Sequence, residues 1–149
     1  MSEMASDPKA VVLAAFAALG RGDVMAIGDY LADDVVWEIM GGDGLIPGGW
    51  HYEGRDVVVE QVLTLVPLFY DVTTISLTLE NTFVDGSTVI LEFSNTAVCV
   101  TGAINDGARY VWVFTVDNGK IVKAREYLDS LKLQQLFFPA DAVPKAAPH

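Results

Sequence analysis

The chain has 149 residues, a length that fits one domain with a sizeable core. Hydrophobic residues make up 52% of it, which argues against intrinsic disorder, and no apolar run approaches the roughly 20 residues of a membrane helix. The formal net charge is −11 with only nine basic residues, so nucleic-acid binding is not expected, because phosphate would be repelled.

The N-terminal segment lacks the basic start and apolar core of a signal peptide, and Cys99 is the single cysteine. Since one cysteine cannot form an internal disulfide, a cytoplasmic location is expected. We expect one domain over residues 1–138. The proline-containing residues 139–149 are expected to form a flexible tail.

Helices are predicted in the first half of the chain. The first covers residues 9–19, with Asp7 as its cap and Gly20 as its stop. A second, shorter helix follows Asp23 and reaches about residue 31.

A strand over residues 35–40 and a glycine-rich loop over 41–49 come next. A third helix is predicted from residue 57 to about 65. Its β-branched start, Val57-Val58-Val59, locally favours a strand, but the apolar spacing favours a helix.

Alternating apolar and polar residues predict long strands in the second half. The strands cover residues 73–84 and 88–101, joined by a turn at Asp85-Gly86, and a hairpin with its turn at Asn118-Gly119 follows. A short helix over 131–138 closes the pattern. Helices followed by antiparallel strands predict an α+β fold with helices packed on one face of a bent, mainly antiparallel sheet.

The final hairpin contains an acid on an apolar face. Pairing outward from Asn118-Gly119 places Val111 opposite Glu126, so that Glu126 shares its face with Val111, Val113 and Ala124. A carboxyl group in such surroundings predicts a pocket.

The opposite face of this hairpin is predicted to carry three aromatic residues, Tyr110, Trp112 and Phe114. Lys123, Arg125 and Tyr127 fall on the same face. Aromatic rings covered by long basic side chains are typical of a sheet-to-sheet interface, so a homodimer through this face is expected.

The order of several short motifs resembles the SnoaL-like branch of the NTF2-like superfamily. The motifs are FAALGRGD at 16–23, LADDVVW at 31–37, YEGRDV at 52–57, and DNGKI at 117–121 with EYLD at 126–129. The resemblance covers about residues 8–131. It implies a conical α+β barrel whose mouth holds a small apolar ligand, as in polyketide cyclases, ketosteroid isomerases, epoxide hydrolases and dehydratases.

The chemistries of that superfamily can be compared with individual positions. The position of the isomerase base matches Ile39, and its tyrosine donor falls near Ala15, so the isomerase mechanism is not expected. The hydrolase needs an arginine on the central strand, and residues 91–95 contain none. The cyclases use a single acid to move a proton, which Glu126 could supply.

A second acid is predicted beside the first. Pairing from Asp85-Gly86 places Leu79 opposite Glu92, so that Glu92 and Glu126 could both face the pocket. Two close carboxyl groups in an apolar site would raise the pKa of one of them. His51, near the expected mouth, is a third candidate proton carrier. The alternative for both glutamates is a solvent-facing side chain, since a one-residue bulge would reverse the face of a strand. The alternative for His51 is an exposed residue of a loop.

Trp37, Trp50 and Tyr52 are candidate ligand contacts because they can pack on a flat apolar compound, and core packing is the alternative. Tyr52, like His51, could also assist the glutamate that carries the proton. Arg109 is the candidate cation for a ligand oxyanion, with a surface salt bridge as the alternative. No second histidine stands at a ligand spacing, so neither a metal nor another cofactor is expected.

The sequence therefore favours a small-molecule pocket that carries out acid–base chemistry on an apolar carbonyl-containing or polycyclic compound, of isomerase, cyclase, hydratase or hydrolase type. A non-catalytic ligand-binding or protein-interaction domain of the same fold is the alternative.

Overall fold

The computed structural model describes residues 7–43 and 49–138. It confirms an α+β fold with four α-helices and a six-stranded sheet. The expected tail at 139–149 and part of the predicted loop at 41–49 lie outside the described residues. Among the helices of the described ranges, none is both long and apolar enough to cross a membrane.

The first helix, α1 (Pro8–Gly20), forms as predicted, and the Asp7 carboxylate accepts a hydrogen bond from the Lys9 N–H at 3.1 Å. The predicted second helix is a 3₁₀ helix, Val24–Tyr30. Its N-terminal neighbour Asp23 makes no capping bond with its side chain.

The predicted third helix is confirmed, and it is built from three pieces. These are α2 (Arg55–Val58), one π-helical turn (Val59–Leu63) and α3 (Leu65–Phe69). The β-branched run at its start is helical because its apolar side chains pack against the core, so tertiary burial overrides local preference. A short 3₁₀ turn, Val72–Thr74, precedes the sheet's edge strand.

The chain ends its described part with α4 (Ser130–Phe137), for which Asp129 accepts a capping bond from the Lys132 N–H at 3.1 Å. This helix covers one end of the sheet. Phe137 stacks on Phe69 with ring centroids 4.2 Å apart, which ties α4 to α3.

The six strands form one sheet. They are β1 (Leu31–Met40), β2 (His51–Glu53), β3 (Ser76–Asp85), β4 (Thr88–Val98), β5 (Ile104–Asp117) and β6 (Lys120–Leu128). Their order is β2-β1-β6-β5-β4-β3, and every pair is antiparallel except β1 with β6.

The sheet is open. Strands β2 and β3 are its two edges, and the described residues show no pairing between them, so the expected conical barrel is a bent sheet that does not close. The register shifts along four of the five strand pairs, and extra residues in β3, β5 and β6 account for the shifts in three of them. Such bulges bend a strand and increase its twist, which curves the sheet around the helices.

One of these bulges overturns the predicted hairpin register. The turn forms at Asn118 and Gly119, both with positive φ, and Asp117 pairs with Lys120. Val116 then pairs with Ile121 but Thr115 with Lys123, so Val122 is the extra residue. Beyond it, Trp112 rather than Val111 lies opposite Glu126.

The bulge also corrects the predicted dimer face. Trp112 and Phe114 are buried at 1% and 0% exposure, and Tyr110 packs against them from the same side of β5. We name the side of the sheet that faces the helices the inner face. The opposite, outer face carries Val111, Val113, Lys123, Arg125 and Tyr127.

The predicted register of β3 with β4 is also wrong, here because the turn lies one residue later than predicted. The turn residues are Gly86 and Ser87, because Asp85 already pairs with Thr88. Glu92 therefore lies opposite Asn81 and not Leu79. Leu91 and Phe93, its neighbours along β4, are the buried residues, so Glu92 is on the outer face.

Candidate functional site

A cavity of about 100 Å³ lies between the inner face of the sheet and the helices. Its walls come from α1, the 3₁₀ helix, the π turn, α3, α4 and strands β1, β5 and β6, and most of them are apolar. The lining residues are Leu19, Ile27, Trp37, Ile39, Val62, Leu63, Leu65, Val66, Phe69, Tyr70, Tyr110, Trp112, Glu126, Leu128, Leu133 and Phe137.

Glu126 is the one carboxylate among the described residues that line this cavity. Strand β6 places it between two tryptophans, one from each neighbouring strand. The Trp37 indole Nε1 donates to Oε1 at 3.4 Å, and the Trp112 Nε1 donates to Oε2 at 3.2 Å. Both carboxyl oxygens are therefore held by neutral N–H donors, which fixes their orientation toward the cavity.

Burial raises the pKa of Glu126 above its ordinary value of 4.5, because the apolar walls disfavour the charged form. The two indole N–H groups oppose this effect, since they stabilise the carboxylate, but burial is the larger influence. Glu92 does not contribute, because it lies on the other side of the sheet. The predicted mechanism of two repelling carboxyl groups is thus replaced by desolvation of one.

Glu92 itself is placed away from the cavity. Its carboxylate accepts a hydrogen bond from Asn81 Nδ2 at 2.9 Å on the exposed edge of the outer face. Of the two interpretations of Glu92, an acid of the cavity or a solvent-facing side chain, the second fits the structure.

His51 is also outside the cavity. It pairs with Glu38 across β1 and β2, and its ring bridges two acids: Nδ1 lies 3.0 Å from Glu38 Oε2 and Nε2 lies 2.8 Å from Glu53 Oε2. The hydrogen bond with Glu53, followed by that with Glu38, raises the pKa of His51 above 6.5. Arg125 Nε donates to the other Glu38 oxygen at 3.1 Å.

This outer-face network accounts for Glu38. Burial raises the pKa of Glu38, but hydrogen bonds from His51 and Arg125 outweigh it, so that the net shift is downward. The network ties β2 to β1 through His51 and Glu38, and β1 to β6 through Glu38 and Arg125.

Of the four predicted ligand contacts, the structure brings one to the cavity, Trp37. Tyr52 is buried at 3% exposure and donates to the Gly49 carbonyl at 3.0 Å as part of the core. Trp50 is 40% exposed and packs edge-on against His51. Arg109 forms a surface salt bridge with Glu80 at 2.8 Å, which was the alternative interpretation.

Sequence reasoning missed Tyr110 and Trp112 as cavity residues because it placed them on the outer face. It also missed Tyr70, which reaches the cavity from the end of α3. A single bulge in either strand of the hairpin brings the first two to the face of Glu126, but the alternating pattern does not mark where such a bulge lies. Nothing local to Tyr70 indicates its position.

Within residues 7–43 and 49–138, no group of three or more histidine, cysteine or acidic side chains is arranged to hold a metal ion. Ile39 and Ala15, the positions that correspond to an isomerase base and donor, are buried apolar residues at 2% and 0% exposure. Proton transfer in this cavity would therefore depend on Glu126.

Comparison with known proteins identifies the fold. The sequence profile of the SnoaL-like domain family matches residues 12–124. A search of curated proteins returned no match. An NTF2-like protein from Burkholderia thailandensis is similar in structure, with a TM-score of 0.73 and 27% identity over 89% of this chain and 98% of that one.

Two further structures show the same fold at lower identity. TerC, co-crystallised with polyporic acid, has a TM-score of 0.74 and 20% identity over 87% of this chain and 97% of its own. An NTF2-like protein of unknown function from Burkholderia pseudomallei has a TM-score of 0.72 and 22% identity over 87% and 96%.

Proposed function

Because this chain belongs to the SnoaL-like domain family, we propose that it binds a small apolar molecule in the inner cavity and exchanges a proton with it through Glu126. The observation that carries this proposal is the position of the Glu126 carboxyl group. It faces an apolar cavity and is anchored through both oxygens by indole donors, while burial raises its pKa.

The surroundings of Glu126 support both of its protonation states. Burial favours the neutral acid, which can donate a proton to an oxygen of the ligand. Once the proton has left, the indole N–H groups of Trp37 and Trp112 stabilise the carboxylate, which can then accept a proton from carbon next to a carbonyl. This is acid–base chemistry that uses the side chain alone.

The volume of the cavity restricts the ligand. An engineered apolar cavity of about 150 Å³ accommodates benzene. A cavity of about 100 Å³ with an adjoining lobe therefore fits a compound with one ring better than a polycyclic one. TerC was co-crystallised with polyporic acid, which is consistent with small organic ligands in this fold.

Proton exchange on a simple ketone tests the proposal. Cyclohexanone dissolved in D₂O exchanges its α-hydrogens, and ¹H NMR follows the loss of their signal. Wild type should accelerate this exchange and Glu126→Gln should not, because glutamine cannot take up the proton. Glu92→Gln is the matched control, since it makes the same change on the outer face and should retain the wild-type rate.

The rival is a non-catalytic binding domain, and one observation favours it. Among the described residues that line the cavity, no second carboxylate or histidine accompanies Glu126. Under this alternative, cyclohexanone shifts the indole signals of Trp37 and Trp112, but wild type and Glu126→Gln exchange its α-hydrogens at the same slow rate. That result would overturn the catalytic proposal and leave the binding proposal in place.

We also propose that two copies pair through the outer face. Val111 and Val113 are only half-buried in the single chain, and Tyr127 is 41% exposed beside them. Lys123 and Arg125 flank these residues on β6, and Glu92 lies on β4, so a two-fold arrangement brings basic and acidic strands of opposite copies together.

A cytoplasmic location is retained as a proposal from the single, buried Cys99.

A further inference from the structure

The cavity adjoins a second lobe of about 60 Å³, and the proposed proton transfer does not use three of its polar side chains, those of Tyr70, Asn95 and Tyr110. Glu126, Tyr70 and Tyr110 line both spaces, whereas Asn95 lines the lobe alone. The other walls of the lobe are apolar. Polar atoms in such surroundings need hydrogen-bond partners, so those that lack a partner within the protein are the ones that a ligand can satisfy.

Asn95 supplies an unused acceptor. It is 5% exposed, and its Oδ1 has no hydrogen-bond partner among the described residues. Burial raises the pKa of both Tyr70 and Tyr110, and hydrogen bonding from the Asn95 side chain is a smaller influence that opposes this rise, as an amide N–H does. The amide carbonyl is then the group left without a partner. A buried acceptor without a partner destabilises the fold, so a ligand that donates a hydrogen bond to it gains affinity.

The two tyrosines supply an unused donor. Their hydroxyl oxygens are 3.1 Å apart, and Asn105 Nδ2 donates to the Tyr70 hydroxyl at 3.1 Å. The pair holds two hydroxyl protons, and one of them makes the bond between the two oxygens. Within the described residues, the second proton has no acceptor. Burial raises the pKa of Tyr110 well above 10, so this group remains a neutral donor.

We propose that the lobe binds a hydroxyl group of the ligand, which donates to Asn95 Oδ1 and accepts from the Tyr70–Tyr110 pair. A hydroxyl group meets both requirements, whereas a carbonyl or ether oxygen can only accept and would leave Asn95 unpaired. This inference rests on the proposed function, because it assumes that the cavity holds a small molecule. It narrows the ligand class to hydroxylated one-ring compounds whose reacting part lies beside Glu126.

Phenol and toluene make the direct test, because they differ by a hydroxyl in place of a methyl group. Dissociation constants are measured by quenching of tryptophan fluorescence, since Trp37 and Trp112 line the cavity. The measured quantity is the ratio of the dissociation constant of toluene to that of phenol. The two compounds are hydrated differently in water, but this difference is the same for wild type and variant, so it does not affect the comparison of their ratios. In Asn95→Leu the preference for phenol should fall about tenfold, because the acceptor is lost while the volume is kept.

Asn81→Leu is the matched control, since it makes the same substitution at an exposed site and should leave the ratio unchanged. If Asn95→Leu fails to fold by circular dichroism, the double variant Tyr70→Phe with Tyr110→Phe removes both hydroxyl protons and should lower the preference in the same direction. An unchanged ratio in the folded variants overturns the inference and leaves the cavity as a general apolar site. Failure of both compounds to bind wild type overturns the proposed function together with it.

Discussion

Replacing Glu126 by glutamine should make the stability difference between the two proteins depend on pH. The folded-state pKa of Glu126 is raised above 4.5 by burial. A carboxyl group of this kind contributes stability that is fully present below the unfolded pKa and is lost as pH rises through the folded pKa. Glutamine does not titrate, so Glu126→Gln should gain stability relative to wild type as pH rises from the unfolded-state pKa to the folded-state pKa of Glu126.

The size of the effect follows from linkage. Each pH unit between the unfolded and the folded pKa changes the difference in unfolding free energy by about 1.4 kcal/mol, and the difference becomes constant above the folded pKa. For a domain whose total stability is on the order of 5–15 kcal/mol, such a slope is readily measured.

The assay is urea denaturation followed by circular dichroism at half-unit steps from pH 4.5 upward. Glu92→Gln gives the baseline for the loss of one carboxylate from the outer face. The free energy of unfolding of Glu126→Gln minus that of wild type should rise with pH. If this quantity stays constant or falls as pH rises, the reasoning that Glu126 is desolvated in the fold is refuted.

Three further outcomes are expected. Trp112→Phe removes an N–H donor that lowers the pKa of Glu126, so an NMR titration should show that pKa rising further; a fall would mean that the indole does not stabilise the carboxylate. The two acids that contact His51 raise its pKa above 6.5, so their contribution to stability is fully present below pH 6.5 and is lost as pH rises through the folded pKa. Wild type should therefore lose stability relative to His51→Gln over that window in urea denaturation, and parallel curves would speak against the network. Val113→Arg should weaken the proposed dimer at least about tenfold in sedimentation equilibrium, whereas Asp117→Arg at the hairpin end should not; equal weakening by both would place the interface elsewhere.

The sequence predicted the final hairpin's turn correctly because its signal is local. Asn118 and Gly119 adopt φ angles of 52° and 74°, which their residue types tolerate. The caps of the first and last helices are similarly local, since Asp7 and Asp129 each bond to a backbone N–H within three residues.

The register of the same hairpin could not be predicted, because it depends on the extra residue at Val122. An alternating pattern fixes the faces of a strand only while the alternation is unbroken. Val122 follows Ile121, another β-branched apolar residue, so the sequence does not show which of the two is the inward-facing residue and which is the extra one. One extra residue was enough to exchange Val111 for Trp112 beside Glu126.

The surroundings of Glu126 depend on contacts between distant parts of the chain. Trp37 is 89 residues away in sequence and Trp112 is 14 residues away, and both reach the carboxyl group only because β6 lies between β1 and β5. Glu126 is a candidate from the sequence because an acid on a strand face that is otherwise apolar is unusual. That Glu92 does not accompany it follows from the register of a different hairpin.

The central claim is that Glu126 is an acid held in apolar surroundings inside the cavity. A ¹³C NMR titration of glutamate side-chain carboxyl groups, with Glu126→Gln used to assign the signal, measures this directly. We expect the Glu126 carboxyl group to titrate above 4.5. A midpoint at or below 4.5 would show that water or an unrecognised positive charge reaches the group, and would contradict the account.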